Sequence, residues 1–379
     1  MYDLLGYASM LTDGVRLAAY TEALRRAVRP GDVVVDLGAG PGVFALYAAR
    51  LGAGKVHGVD PTPLVALGRD AARRAGLDGQ VEFHQARLEE LELPGRADVI
   101  VSDLRGVLPL FEGHLSTLMH ARDHVLRPGG TLIPAQDRLR VAVGEASEVY
   151  RDRVTVWTSQ ELGLSMEAAR RCAANTWCRV KRNEARVVSS AETWSTLDYA
   201  SLRDVNAAGR VELVVPRPTM GHGLVVWFET TLVPEVEFST APDQPEAVYN
   251  RAFFPWNEPV ELDMGARLSV HLRADLVGRD YVWTWTTDIA RPGRAAVRFE
   301  QASFFGDVQS PEDVRRAGES YAPDLTEDGA VDRAILVEVD GRRTNGEIAR
   351  RLREAFPGRF SDHAAALRRV TELTRRLGR

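Results

Sequence analysis

Apolar positions change period repeatedly along the first third of the chain. Residues 1–30 carry Leu4, Leu5, Met10, Leu11, Val15, Leu17, Leu24 and Val28 at helical spacing, and Pro30-Gly31 closes the segment. Short apolar, β-branched runs then predict strands near 33–37, 55–60, 81–85, 98–102 and 131–133. Helical periodicity over 42–51, 63–75 and 114–126 falls between them. Such alternation predicts an α/β fold, a doubly wound parallel sheet over 31–134. After Pro134 the period shortens to two. Arg138–Val143, Val211–Val215, Leu224–Thr231, Leu268–Leu272 and Tyr281–Thr286 predict an antiparallel β domain over 135–305. Inside it, about 150–178 reads as an insertion, with a helix over Glu161–Arg171 flanked by Trp157 and Trp177. Prolines and acids over 306–329 predict a linker. Residues 330–379 then read as three helices, Val331–Glu338, Thr344–Phe356 and His363–Leu377, with Thr344 and Glu347 spaced as a capping box.

Against this pattern one stretch stands out. Val33-Val34-Val35-Asp36-Leu37-Gly38-Ala39-Gly40-Pro41-Gly42 runs a buried strand into a glycine-rich turn at a helix start. Glycines let backbone approach a ligand, and the helix start offers free N–H groups. The pattern fits nicotinamide, flavin and S-adenosylmethionine (SAM) sites alike. The next strand ends at Asp60, about twenty residues on, where a carboxylate can accept from two ribose hydroxyls. The plainer alternative is that Asp60 caps its own turn. In the dinucleotide pattern the third glycine comes one residue later than Gly42. Asp36 through Gly42 looks like the first motif of class I SAM-dependent methyltransferases. Ligands of doubly wound sheets bind beyond the carboxyl ends of the strands, so the glycine loop, Asp60, the segment 87–90 and Ser102-Asp103 are expected to meet.

Composition narrows the class without naming a reaction. The 379 residues suffice for two or three domains, and 45% hydrophobic with 27% charged residues describes an ordinary globular protein. A formal net charge of −5 gives no argument for nucleic acid. No apolar run reaches the length of a membrane span, and the first residues lack the form of a signal peptide. With only Cys172 and Cys178 present, a metal site is not expected and a reduced cytoplasmic protein is.

Candidate chemistry sits in the loop after the fourth strand. Asp103 and Glu112 lie nine residues apart around a mostly apolar turn. Paired carboxylates can hold a cation or accept a proton from an amine.

With that loop, residues 7–305 resemble the protein arginine methyltransferase family. Met10-Leu11-Thr12-Asp13-Gly14-Val15-Arg16 is similar to the family's segment whose arginine meets the SAM carboxylate. Asp36–Gly42 and Asp60 resemble its SAM motifs. Leu88-Glu89-Glu90-Leu91-Glu92-Leu93-Pro94 resembles the stretch whose first acid reads the adenine amino group. Asp103 through Glu112 has the length of its paired-acid loop. His120-Ala121-Arg122-Asp123 with Pro128-Gly129-Gly130, and Phe238-Ser239-Thr240-Ala241-Pro242, also correspond. The resemblance implies a SAM domain, a β-barrel, a helical dimerisation arm and methyl transfer to a guanidinium or other amine nitrogen, with S-adenosylhomocysteine as product. Asp103 and Glu112 are then the catalytic pair. Arg16, Asp36, Gly38, Gly40, Gly42, Asp60, Leu88, Glu89 and Ser102 hold SAM. Met10, Arg105, Tyr249 and Asn250 face the acceptor.

Departures bear on the acceptor. The first acid is Asp103 rather than Glu, with Leu104 and Arg105 behind it. Arg105 can partly neutralise the pair, bind a substrate carboxylate, or lie exposed on the surface. The family's Thr-His-Trp loop should fall near Val248-Tyr249-Asn250, which holds no histidine. His222 and His271 are nearby in sequence and read as strand residues. The tyrosine-bearing first helix is expected to be shortened. Asp340–Thr344, Glu347-Ile348-Ala349 and Phe356-Pro357 resemble winged-helix peptide-recognition modules, and a plain three-helix cap fits equally. Two alternatives follow: a peptide natural-product methyltransferase recruited through residues 320–379, or a non-catalytic binding protein with this fold.

Overall fold

The computed structural model describes residues 4–158, 163–291, 293–308 and 310–377. The chain separates into two units, Met1–Val308 and Gln309–Arg379.

The first unit begins with helices α1 (Leu4–Thr12) and α2 (Gly14–Ala27). Asp13 caps α2 by accepting from the Arg16 amide at 3.0 Å. Then strands β1 (Val33–Leu37), β2 (Lys55–Val59), β3 (Val81–His84), β4 (Ala97–Ser102) and β5 (Leu126–Ile133) form one parallel sheet in the order β3-β2-β1-β4-β5. Helices α3 (Val43–Arg50), α4 (Val65–Arg74) and α5 (His114–His120) connect them. The expected helix over 114–126 ends its α-form at His120 and continues as a π-turn to Val125. Strand order reverses between β1 and β4, which sets the binding crevice at their carboxyl ends.

From Gln136 onward the strands are antiparallel. Strands β6 (Gln136–Glu145), β7 (Cys178–Val180), β8 (Arg186–Val187), β11 (Thr219–Val233) and β13 (Arg251–Leu262) form one sheet, with β9 (Glu192–Asp198) and β12 (Val236–Ser239) joined to it. Strands β10 (Ala207–Val214), β14 (Arg267–Val277), β15 (Asp280–Ala290) and β16 (Val297–Ala302) form another. Their inner faces close on Phe254, Trp256, Trp283 and Trp285, all at most 2% exposed. Between β6 and β7 lie α6 (Ser147–Arg153) and α7 (Glu167–Ala174). The helix expected over Glu161–Arg171 is therefore shorter and later. Its first two residues fall outside the described residues. Cys172 and Cys178 are both free thiols.

The second unit is helical in its described residues: α8 (Pro311–Arg316), α9 (Glu327–Glu338), α10 (Asn345–Ala355) and α11 (His363–Leu377). Val331, Ile335, Ile348, Leu352, Val370 and Leu373 make its own core. The Thr344–Glu347 capping box forms as the spacing suggests. Helix α8 and the first three residues of α9 fall in the stretch expected to be linker. No strand, and so no wing, is present among the described residues of this unit. No helix among the described residues is long and apolar enough to cross a membrane.

Candidate active site

A cavity of about 210 Å³, partly open to solvent, lies at the carboxyl ends of β1, β2 and β4. Its wall brings together Met10, Arg16, Asp36, Gly38, Asp60, Asp103 and Glu112 from five separate segments. Gly38, Gly40 and Gly42 all take positive φ (72°, 50° and 85°), a region closed to most side chains. A Cβ on each would stand 2.3 Å from Leu104, Tyr7 and Phe83 respectively. The glycines thus permit both the turn and the close approach of three side chains to it.

Tyr7 lies on the first helix, Leu4–Thr12. Helix α1 carries it over the glycine turn, and its hydroxyl donates to Asp60 at 3.3 Å. Burial, with Asp60 beside it, raises the Tyr7 pKa. Asp60 also accepts from the Gly40 amide at 2.9 Å and the Thr62 amide at 2.8 Å. Asp60 thus caps its own turn and also lies in the cavity wall. Asp36 ends β1 and accepts from the Ala45 amide at 2.8 Å. Burial pushes its carboxyl up to about 7, the Ala45 hydrogen bond opposes that shift, and nearby Asp60 adds to it.

Asp103 is committed inside the protein. Its Oδ2 accepts from Arg16 Nε at 2.5 Å and from the Tyr249 hydroxyl at 2.6 Å. Its Oδ1 accepts from Arg105 Nε at 3.3 Å. Burial opposes its charge, but Arg16, Arg105 and the Tyr249 hydroxyl hold its carboxyl below the usual carboxylate range. Glu112, in contrast, is exposed at the cavity wall. It takes φ 44°, an uncommon conformation for a side-chain-bearing residue that costs about 1–3 kcal/mol. The two acids are chemically unequal.

Arg105 is neither exposed nor open to a substrate. It is fully buried, donates to Asp137 at 2.8 Å and Thr230 at 3.0 Å, and contacts the Tyr20 hydroxyl. The rings of Tyr20, Phe228, Phe238 and Tyr249 stand 5.1–5.8 Å from its guanidinium carbon. Of the three roles considered for it, partial neutralisation of Asp103 is the one the geometry supports. Asp137 in turn accepts from the Tyr199 hydroxyl at 2.5 Å. Tyr199 lies 3.4 Å from His114 Nε2. Burial, then nearby Arg105, lowers the His114 pKa to about 3, so its ring is neutral.

Other predicted residues sit elsewhere. Leu88 is buried in the sheet-domain core. Glu89 accepts from Thr117 Oγ1 at 2.8 Å, and Thr117 is itself a wall residue. Ser102 is 1% exposed, and its carbonyl accepts from Tyr20. None of the three is in the cavity wall. Asn250 is not there either: with φ 59°, it turns its amide toward Arg179 and Glu246. Sequence reasoning missed Tyr7, Tyr20, Thr62, His114 and Asp137. For Tyr7, the signal was its place six residues before Asp13, just ahead of the motif segment Met10–Arg16. For the others, no local signal existed.

The residues present fit SAM. Thr62 Oγ1 and His114 Nδ1 are buried, line the cavity and have no hydrogen-bond partner among the described residues. A polar ligand would satisfy both, as buried polar atoms require. Within the ion-paired cluster the charges of Arg16 and Arg105 balance Asp103 and Asp137. Asp36, Asp60, Glu112 and Arg87 also line the cavity, so its wall carries more acidic than basic side chains.

Comparison with known proteins agrees. Residues 34–130 match a family model described as a methyltransferase domain. The chain is 26% identical over 280 residues to protein arginine N-methyltransferase 1 of Saccharomyces cerevisiae, covering 70% of this chain and 79% of that one. It is 29% identical over 276 residues to the arginine N(omega)-methyltransferase of Streptomyces achromogenes, covering 70% and 74%. Among solved structures, Trypanosoma brucei PRMT1, in an enzyme–prozyme heterotetrameric complex with AdoHcy, superposes with TM-score 0.72 at 23% identity. That match covers 78% of this chain and 97% of the other. Arabidopsis thaliana protein arginine methyltransferase 10 superposes with TM-score 0.67 at 20% identity, covering 79% and 98%. At these identities the structural matches speak for the fold.

Two outcomes are expected. Arg105→Leu leaves Asp137 buried without a cationic partner, which should cost about 3–5 kcal/mol. Urea unfolding of the full chain measures it, and Arg105→Leu/Asp137→Leu should recover part of the loss. Second, a cationic ligand near Asp36 favours its ionised form. SAM binding below pH 7 should therefore release more protons than S-adenosylhomocysteine binding, which brings no sulfonium. Calorimetry in buffers of different ionisation enthalpy reads this, and the excess should vanish in Asp36→Asn.

Proposed function

Because the chain is a SAM-dependent methyltransferase of the protein arginine methyltransferase family, we propose that it methylates a guanidinium nitrogen delivered to Glu112. The observation that carries this reading is the inequality of the two acids. Asp103 is held in the wall by Arg16, Arg105 and Tyr249, while Glu112 stands exposed at the cavity.

When bound, SAM supplies the electrophilic methyl group and leaves as the neutral thioether. The protein's share is positioning, charge and a proton sink. Glu112 accepts hydrogen bonds from the cationic acceptor and orients one nitrogen. It then takes the proton that this nitrogen loses once the new N–C bond forms, or passes it to solvent. Asp103 is too strongly stabilised as an anion to be the better base. Its task is to fix the Arg16 guanidinium at the cofactor end of the cavity. Tyr249 is a positioning residue, doing for Asp103 what the absent Thr-His-Trp loop does in the family resemblance. Glycines 38, 40 and 42, with Asp36 and Asp60, shape the adenosyl end, and Leu88, Glu89 and Ser102 support it from behind.

The acceptor class within this reading is arginine, free or in a peptide. The name of the Streptomyces relative favours the former and that of the yeast relative the latter. A biosynthetic role for the reaction follows if the acceptor is free arginine or a natural-product peptide. A homodimer through the segment 150–178 belongs to the same proposal. That segment exposes Leu164 and Met166, at 62% and 48%. A cytoplasmic location accords with the two free cysteines.

Methyl-labelled SAM, incubated with free L-arginine and separately with arginine-bearing peptides, tests the function. Glu112→Gln should lose at least a hundredfold in kcat while keeping its affinity for SAM. Unchanged turnover in that variant contradicts the assignment. Tyr249→Phe removes the charge-assisted hydrogen bond to Asp103, worth about 1.5–3 kcal/mol, and the longer one accepted from Arg16 Nε at 3.2 Å. It should lower kcat by roughly ten- to a hundredfold. Its acid pH limb should also shift upward as Asp103 loses a donor. A purely structural role would leave that limb in place.

A further inference from the structure

The open edge of the parallel sheet carries a cluster that the methyl-transfer site does not use. In the parallel pairing of β2 and β3, His57 lies opposite Glu82 and Val59 opposite His84. Side chains alternate along a strand, so Lys55 and His57 share one face with Glu82 and His84. The neighbouring positions of both strands, Val56, Val59, Val81 and Phe83, are apolar and buried. His57 itself is 1% exposed. Burying an imidazole beside another on such a surface costs free energy unless its nitrogens are satisfied.

The geometry is that of a ligand set. His57 Nδ1 and His84 Nε2 face each other at 3.1 Å. Two nitrogens bound to one tetrahedral zinc at about 2.0–2.1 Å each stand about 3.3 Å apart. The Glu82 carboxylate closes the third side, with one oxygen 4.0 Å from His57 Nδ1 and the other 4.0 Å from His84 Nε2. One ligand atom from each of the three residues lies within 4.8 Å of the others. The rival cation is Lys55, whose Nζ is 3.2 Å from Glu82. Both Lys55 and Glu82 are substantially exposed, so Lys55 can swing into water and release the carboxylate. Arg69, the other nearby cation, is directed to the Phe83 carbonyl at 2.7 Å instead.

We propose that His57, His84 and Glu82 bind one divalent metal ion of the zinc class at the edge of the parallel sheet. Two imidazoles and one carboxylate are borderline-soft donors that suit zinc over magnesium or calcium. Three protein ligands leave a fourth position for water. The ion bridges β2 and β3, whose ends lead to the cofactor side: the Asp60 amide donates to the His84 carbonyl at 3.1 Å. Its role is to staple the edge strand that supports Asp60, and it takes no part in the methyl transfer.

The full chain, stripped with chelator, is titrated with zinc by calorimetry and with cobalt(II) by visible absorption. One equivalent should bind, with the ligand-field bands of tetrahedral cobalt. Because His57 is buried, the informative variants are His84→Ala and Glu82→Gln, whose side chains are partly exposed and whose fold circular dichroism can verify. Each should weaken binding roughly tenfold or more. A His120→Ala/His124→Ala variant, which removes a histidine pair with ring centroids 4.6 Å apart, should bind as the parent does. Absence of one-to-one binding, or binding unaltered in a folded His84→Ala variant, would overturn the proposal. The histidine pair would then be a hydrogen bond alone.

Discussion

The site depends on one buried ion pair. Arg105, from the loop after β4, meets Asp137, the second residue of β6, with no exposure of either side chain. Four aromatic rings surround the guanidinium, and Thr230 of β11 takes a further donor. A buried guanidinium persists only when its desolvation is offset by a partner and by satisfied donors. That requirement locks the parallel sheet to the antiparallel domain at one point. The loop that carries both acids begins at this lock, so the position of Asp103 is set by it.

From that constraint the division of labour follows. A carboxylate beside two guanidinium groups and a tyrosine hydroxyl is a stable anion and a weak base. Asp103 therefore organises the wall, and the shape of the loop leaves Glu112 to address the acceptor. Shortening the first acid by one methylene fits the same arrangement. Its partners are already in place within the protein, so it has no need to reach across the cavity. Asp137, Tyr199 and His114 continue the polar chain from Arg105, each buried, and the chain ends at the cavity wall on His114.

How much of this was legible depended on the range of the signal. The glycine turn, the acid at Asp60 and the parallel strands announce themselves within about twenty residues, because their physics is local. The loop acids were visible as a pair, but their inequality was not. It arises from Arg16 and Tyr249, which lie 87 and 146 positions from Asp103. Three roles stayed open for Arg105 because nothing beside it in sequence names Asp137, 32 positions on. Strand β13 escaped notice because Arg251-Ala252-Phe253-Phe254-Pro255-Trp256 is buried on both faces, which erases alternation. The edge histidines showed no motif, since register alone sets them side by side. The family resemblance pointed correctly to the methyltransferase fold, while Leu88, Glu89, Ser102 and Asn250 lie outside the cavity wall.

The central claim is that Asp103 stays bound to the protein's own arginines while Glu112 alone receives the acceptor. A crystal structure with S-adenosylhomocysteine and an arginine acceptor tests it most directly. The account expects the acceptor guanidinium on Glu112, with Arg16, Arg105 and Tyr249 still on Asp103. An acceptor guanidinium that displaces Arg16 and bonds Asp103 through two nitrogens would contradict it.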